Sequence, residues 1–263
     1  MKFKKTLINI LIVIVSIFLA YEIYSLIKLK RDEKIGAETY SKIREISFDV
    51  SSEKKVSKID EKKFSKIDED KFEQSNGPDF DKLRNINNEI VLWIKSDEGH
   101  IDYPVVKTDN NTKYLYTGAD GKRNIVGSIF MDYRNEDAHD PFVMIYGHMM
   151  EDESMFATLN EFKAKPKFDG FTFYTDGKSF KTKAVLSALI SGDEYINPRD
   201  YDDFNKRKEF YDTIRKNALY DANYNLKEED RIVNLVTCSY ERKNLRLVVV
   251  TIVTADSASG FED

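Results

Sequence analysis

The chain opens on a single apolar block. From Thr6 to Tyr21 no residue is charged and most are Leu, Ile, Val or Phe. Glu22 interrupts, and Ile23, Tyr24, Leu26 and Ile27 then extend the run. A helix of about 20 residues crosses a bilayer core. Residues 6–27 have that length, with Tyr21 and Tyr24 placed like interfacial aromatics. The competing reading is a cleaved signal peptide, which needs small residues just before the cut. Ala20 is small but Phe18 is not, so an uncleaved anchor behind a basic tail, residues 1–5, is the expectation. Lysines and arginines flank both ends of the run and do not decide its orientation.

Residues 28–77 change texture. Charges dominate, and an eight-residue unit repeats, Ser57-Lys-Ile-Asp-Glu-Lys-Lys-Phe64 followed by Ser65-Lys-Ile-Asp-Glu-Asp-Lys-Phe72. Eight residues advance a helix about 80° past two full turns. Ile59 and Ile67 therefore wind around the surface rather than form a seam, and a solvated stalk is expected. Docking of its last turns onto a domain is the lesser alternative. Asn76-Gly-Pro78 punctuates the boundary.

Beyond it the pattern shortens. A helix is predicted over 79–87, with Phe80, Leu83 and Ile86 on one face. Strand-like runs follow at 90–94, 103–107, 128–132, 142–146, 170–175, 179–190, 232–237 and 245–254, and helices are predicted at 154–163 and 200–218. Many short strands with few helices predict a mainly β domain, a barrel or a sandwich, with helical additions. The last residues, 255–263, read as a tail.

Composition narrows the function. Apolar residues form 41% and aromatics 13% of the chain, enough for a sizeable core. The charged fraction is 33% but the net charge only −5. That balance lacks the basic excess of a nucleic-acid binder and leaves peptide or glycan substrates open.

The chain has one cysteine, Cys238, which excludes an internal disulfide. In an exported protein it is a buried small hydrophobe, an intermolecular partner or a reactive thiol. It ends the run Ile232-Val-Asn-Leu-Val-Thr-Cys238, and Arg246 begins the next, Leu245-Arg-Leu-Val-Val-Val-Thr-Ile-Val-Thr254. Runs joined by so short a loop pair as an antiparallel hairpin, bringing Cys238 close to Arg246. A guanidinium there lowers the thiol's pKa and can bind a developing oxyanion. A cysteine nucleophile also wants an imidazole. Of three histidines, His100 and His139 lie in polar loops, whereas His148 follows the strand Phe142-Val-Met-Ile-Tyr146 and Gly147. By itself that position suits a structural histidine better than a catalytic one.

Together these segments resemble the sortases, most closely class B. Tyr146-Gly-His-Met-Met150 is similar to the class's histidine motif, Leu235-Val-Thr-Cys-Ser-Tyr240 to its Thr-Cys motif, and Arg246-Leu-Val-Val-Val to its arginine strand. Trp93-Ile94, Ile101-Asp-Tyr-Pro-Val-Val106 and Gly127-Ser-Ile-Phe-Met-Asp132 add to the likeness, which spans residues 78–254. Val236 and Tyr116 depart from it, standing where the class often has Ser and Asn.

The resemblance implies an eight-stranded sortase β-barrel preceded by N-terminal helices, on a membrane anchor with the catalytic domain outside the cell. It implies a transpeptidase whose Cys238 cleaves a C-terminal sorting signal after Thr, with His148 as general acid/base and Arg246 as oxyanion partner. Tyr146, Tyr195, Thr237 and Ser239 would be substrate contacts. No metal or cofactor is implied. The implied partners are surface proteins bearing signals such as Asn-Pro-x-Thr-Asn or Pro-x-Thr-Gly, and an amine of peptidoglycan or its lipid-linked precursor. A sortase-fold scaffold without catalysis, or a cysteine protease that only hydrolyses, are the alternatives.

Overall fold

The computed structural model describes residues 2–48, 77–166, 168–239 and 244–254. The Ser57–Phe72 repeat, residues 240–243 and the tail lie outside them. Among the described residues the strands are β1 (Ile90–Ser96), β2 (Asp102–Val106), β3 (Ile129–Met131), β4 (Phe142–Tyr146), β5 (Gly170–Thr175), β6 (Lys178–Ser191), β7 (Ala218–Asp221), β8 (Ile232–Ser239) and β9 (Leu245–Val253). They form one sheet in the order β5-β1-β2-β3-β4-β8-β9-β6-β7, and β5 pairs again with β6. That second pairing closes eight strands into a barrel and leaves β7 as a short addition on β6. Closure removes the unpaired edges that an open sheet would expose.

The central strands are buried on both faces, which is why β8 and β9 read as near-continuous apolar runs rather than clean alternations. Val233, Leu235, Leu247 and Val249 belong to the barrel's interior cluster. Their alternates Ile232, Val236, Val248 and Val250 belong to an outer cluster. That outer cluster is covered by helix α3 (Phe204–Arg215) through Phe210, Tyr211 and Ile214. Asp203 caps α3, accepting from the backbone N–H of Lys206 at 3.1 Å.

Two helical expectations shift. Of residues 154–163 only Ala157–Lys163 are helical, and they form a 3-10 helix. The span 200–218 divides into a 3-10 turn, Pro198–Tyr201, and α3, after which the chain enters β7. A four-residue edge strand carries too little alternation to stand out beside an amphipathic helix. The helix expected at 79–87 is α2 (Phe80–Ile86), capped by Asp79.

Helix α1 (Lys2–Ser47) is the largest departure. Its 46 residues make one helix of about 70 Å, so the apolar run and the first part of the charged segment are continuous. The large apolar side chains of residues 7–27 are exposed. From Glu33 on, residues 33, 36, 40, 43 and 47 are buried at helical spacing. This stripe docks on the domain, so residues 33–47 are not the solvated stalk expected. Only Tyr40 and Ile43 in it are large and apolar, so its amphipathicity is faint in the sequence. Gly36 permits the approach: a Cβ there would fall 2.6 Å from Val126 Cγ2. Arg44 anchors the end, pairing with Asp102 Oδ2 at 2.8 Å while donating to its carbonyl at 2.6 Å.

Candidate active site

Strand β8 lies between β4 and β9, and this order brings the three chemical groups together. Antiparallel to β9, β8 sets Cys238 directly opposite Arg246. Opposed residues of such a pair share a face with Cβ atoms about 5 Å apart. Parallel to β4, β8 sets Val236 opposite Tyr146, and the Gly147 N–H continues the ladder to the Val236 carbonyl at 3.0 Å. Two residues beyond that last pair on each strand stand His148 and Cys238. All three side chains line one groove of about 300 Å³ at this end of the barrel.

His148 is oriented through its backbone and its ring. The Phe156 N–H donates to the His148 carbonyl at 2.9 Å. Gly147 lies against Phe156, where a Cβ would fall 2.6 Å from the ring. The imidazole Nε2 is 2.8 Å from the Leu115 carbonyl oxygen. A carbonyl only accepts, so Nε2 carries the proton, and the neutral ring offers Nδ1 as its free acceptor. The Tyr116 ring, mostly exposed, lies 6.3 Å from the imidazole.

A second polar set forms one wall. Asp132, fully buried at the end of β3, binds Arg134 through Nε at 2.8 Å and Nη2 at 2.7 Å. It also accepts from Asn111 Nδ2 at 2.9 Å and from the Tyr146 hydroxyl at 3.1 Å. Burial opposes its ionisation, but the hydrogen bonds from Arg134 and Asn111 prevail and hold the carboxyl below its ordinary range. Burial, reinforced by Asp132, pushes the Tyr146 phenol well up, so it stays a neutral donor. Arg134 Nη2 also donates to the Ile196 carbonyl at 2.8 Å, and the guanidinium sits 5.2 Å from the Tyr195 ring. The loop after β6 is thereby tied to the groove.

A sortase-domain family model matches residues 94–253. The chain belongs to the sortase family. Sortases are cysteine transpeptidases, and the relatives matched are of the B type. Sortase B of Staphylococcus aureus is 28% identical over 257 residues, 95% of this chain and 96% of that protein. The crystal structure of Bacillus anthracis sortase B superposes with a TM-score of 0.68 at 26% identity, covering 85% of this chain and 98% of that one. A class B sortase of Streptococcus pyogenes involved in pilus biogenesis superposes at 0.61 and 28%, covering 66% and 97%. The eight-stranded barrel with an N-terminal helix is the architecture these structures share.

In this sortase the sequence-selected residues fall unevenly. Cys238, His148, Arg246 and Tyr146 line the groove, and Tyr195 stands at its rim, 78% exposed. Thr237 also lines it, yet its side chain alternates to the face opposite Cys238, in register with buried Leu247. Its buried hydroxyl has no hydrogen-bond partner among the described residues. Ser239 ends β8 in register with Leu245. Sequence reasoning missed Asn111, Asp132, Arg134 and the Leu115 carbonyl. Asp132-x-Arg134 directly after an apolar strand was the available signal for a buried ion pair; nothing local marked Leu115.

Proposed function

We propose that the protein is a membrane-anchored transpeptidase that cleaves a C-terminal sorting signal after Thr and passes the acyl group to a cell-wall amine. The register that gathers Cys238, His148 and Arg246 in one groove carries the reading. The Cys238 thiolate attacks the Thr carbonyl carbon and forms the C–S bond. Negative charge moves to the carbonyl oxygen, where Arg246 donates hydrogen bonds. His148 in its protonated form gives a proton to the leaving amine as the C–N bond breaks, leaving a thioester. An amine of peptidoglycan or its precursor then attacks. Neutral His148 takes its proton, and the thiolate departs.

The apolar run of α1 supports the anchor. It is the one described helix long and apolar enough to cross a membrane. With residues 6–27 spanning the bilayer and residues 1–5 inside, the domain at 78–254 faces the cell wall. Tyr195, Tyr146 and Ser239 contact the sorting signal, and Thr237 contributes through the groove wall beside the nucleophile.

The test is a sorting-peptide assay on the full chain with and without triglycine. Wild-type protein should yield the triglycine adduct, and Cys238→Ala should yield neither adduct nor hydrolysate while keeping its fold. Cleavage by Cys238→Ala would overturn the reading. Hydrolysate alone in the presence of triglycine would reduce it to a protease.

A further inference from the structure

Helix α1 reaches the histidine through one hydroxyl. Tyr40 lies on the helix's docked stripe, 4% exposed, and its ring meets Tyr103 edge-on at 5.4 Å. The hydroxyl touches two separate loop segments. It donates to the Gly127 carbonyl at 2.5 Å and accepts from the Ala119 N–H at 3.3 Å. It also lies 3.1 Å from Ser128 Oγ, which in turn donates to the Thr117 carbonyl at 2.8 Å. Burial pushes the phenol well above its ordinary pKa, so the donor is permanent.

Those two segments are the ones that hold His148. Segment 114–119 supplies the Leu115 carbonyl that accepts from Nε2. Gly127, at φ +64°, lies flat against both: a Cβ there would fall 2.7 Å from the Leu115 oxygen and 2.9 Å from His148 Cδ2. The Ser128 N–H donates to the Tyr114 carbonyl at 3.0 Å, closing the link on the far side. Movement of either segment therefore moves the acceptor that selects the imidazole tautomer.

We infer that Tyr40 is a positioning residue for His148. Its hydroxyl clamps 114–119 to 127–128 and so keeps the ring in its Nε2–H form with Nδ1 free. The inference rests on the role of His148 as proton carrier given above.

Tyr40→Phe removes the hydroxyl and keeps the ring, and Ile43→Val, on the same buried stripe, controls for packing alone. Both are made in the full chain in detergent micelles. The expected result for Tyr40→Phe is a fall in kcat of about tenfold with KM within about twofold. The acid limb of its kcat/KM–pH profile moves, and 15N resonances of the His148 ring leave the Nε2–H pattern for a tautomer mixture. Ile43→Val lowers the melting temperature and leaves the pH profile and ring resonances in place. Wild-type kcat, pH profile and ring resonances in Tyr40→Phe, at any melting temperature, would make Tyr40 a packing residue only. A fall in kcat with unchanged ring resonances overturns the inference equally. The resonances need no substrate, so a wild-type chain that transfers nothing would sink the enzymatic reading and leave this one still measurable.

Discussion

Cys238 and Arg246 stand directly opposite one another across the β8–β9 pair, with side chains on the same face. The pairing sets a positive charge beside a thiol without requiring any loop to adopt a special shape. Arg246→Ala removes the guanidinium that faces the thiol. Peptide cleavage should fall about a hundredfold or more from the lost oxyanion donor. Cleavage at the wild-type rate would show that Arg246 is not the oxyanion donor.

Gly127 tolerates no side chain. At φ +64°, a Cβ would meet the Leu115 and Tyr114 carbonyl oxygens and the His148 ring at 2.7–2.9 Å. Gly127→Ala should cost about 1–3 kcal/mol in denaturant unfolding and lower kcat by displacing the imidazole. Gly99→Ala tests the same backbone strain alone, since Gly99 has positive φ and nothing within 4 Å of a Cβ. It should lose stability and keep activity.

The buried Asp132–Arg134 pair links stability to pH. The folded-state pKa of Asp132 lies below its ordinary value. Its contribution is therefore complete above the unfolded value of about 3.9 and is lost as pH falls through the lower folded value. Asp132→Asn should destabilise the protein by about 3–5 kcal/mol at neutral pH, because Arg134 is left without its partner. Melting curves of wild type and variant should converge on acidification below about pH 4. A gap that stays constant with pH would mean that the charge of Asp132 is not what matters.

Tyr195 offers a clean separation of binding from chemistry. It is largely exposed and rests on Arg134. Tyr195→Ala should therefore change stability by no more than about 0.5 kcal/mol. As a substrate contact it should raise KM several-fold with kcat little altered, the pattern of lost uniform binding. Unchanged KM across a panel of sorting peptides would remove it from the substrate site.

Strands carrying strong local signals were legible from the sequence within a few residues. The hairpin that joins Cys238 to Arg246 was legible because its two apolar runs are close in the chain. What escaped was short or non-local. β7 has four residues, and the docked stripe of α1 is built around a glycine, a glutamate and a serine that earn their burial only against a partner surface. Asp132 and Arg134 are ordinary loop charges until β3 and the loop after β6 close around them.

Sequence by itself determined the apolar N-terminal run, the β character of the domain and the candidate groups Cys238, His148 and Arg246. Periodicity, chain proximity and residue chemistry are local properties, and one dimension records them. Tertiary structure decided which groups meet. The parallel pairing of β4 with β8 joins segments some 90 residues apart, and no local rule selects that neighbour. It likewise decided that the Leu115 carbonyl holds the His148 proton and that Tyr40, more than 100 residues upstream, braces it. Backbone carbonyls carry no sequence signature, so their role emerges only when the closed barrel brings distant loops within hydrogen-bonding reach.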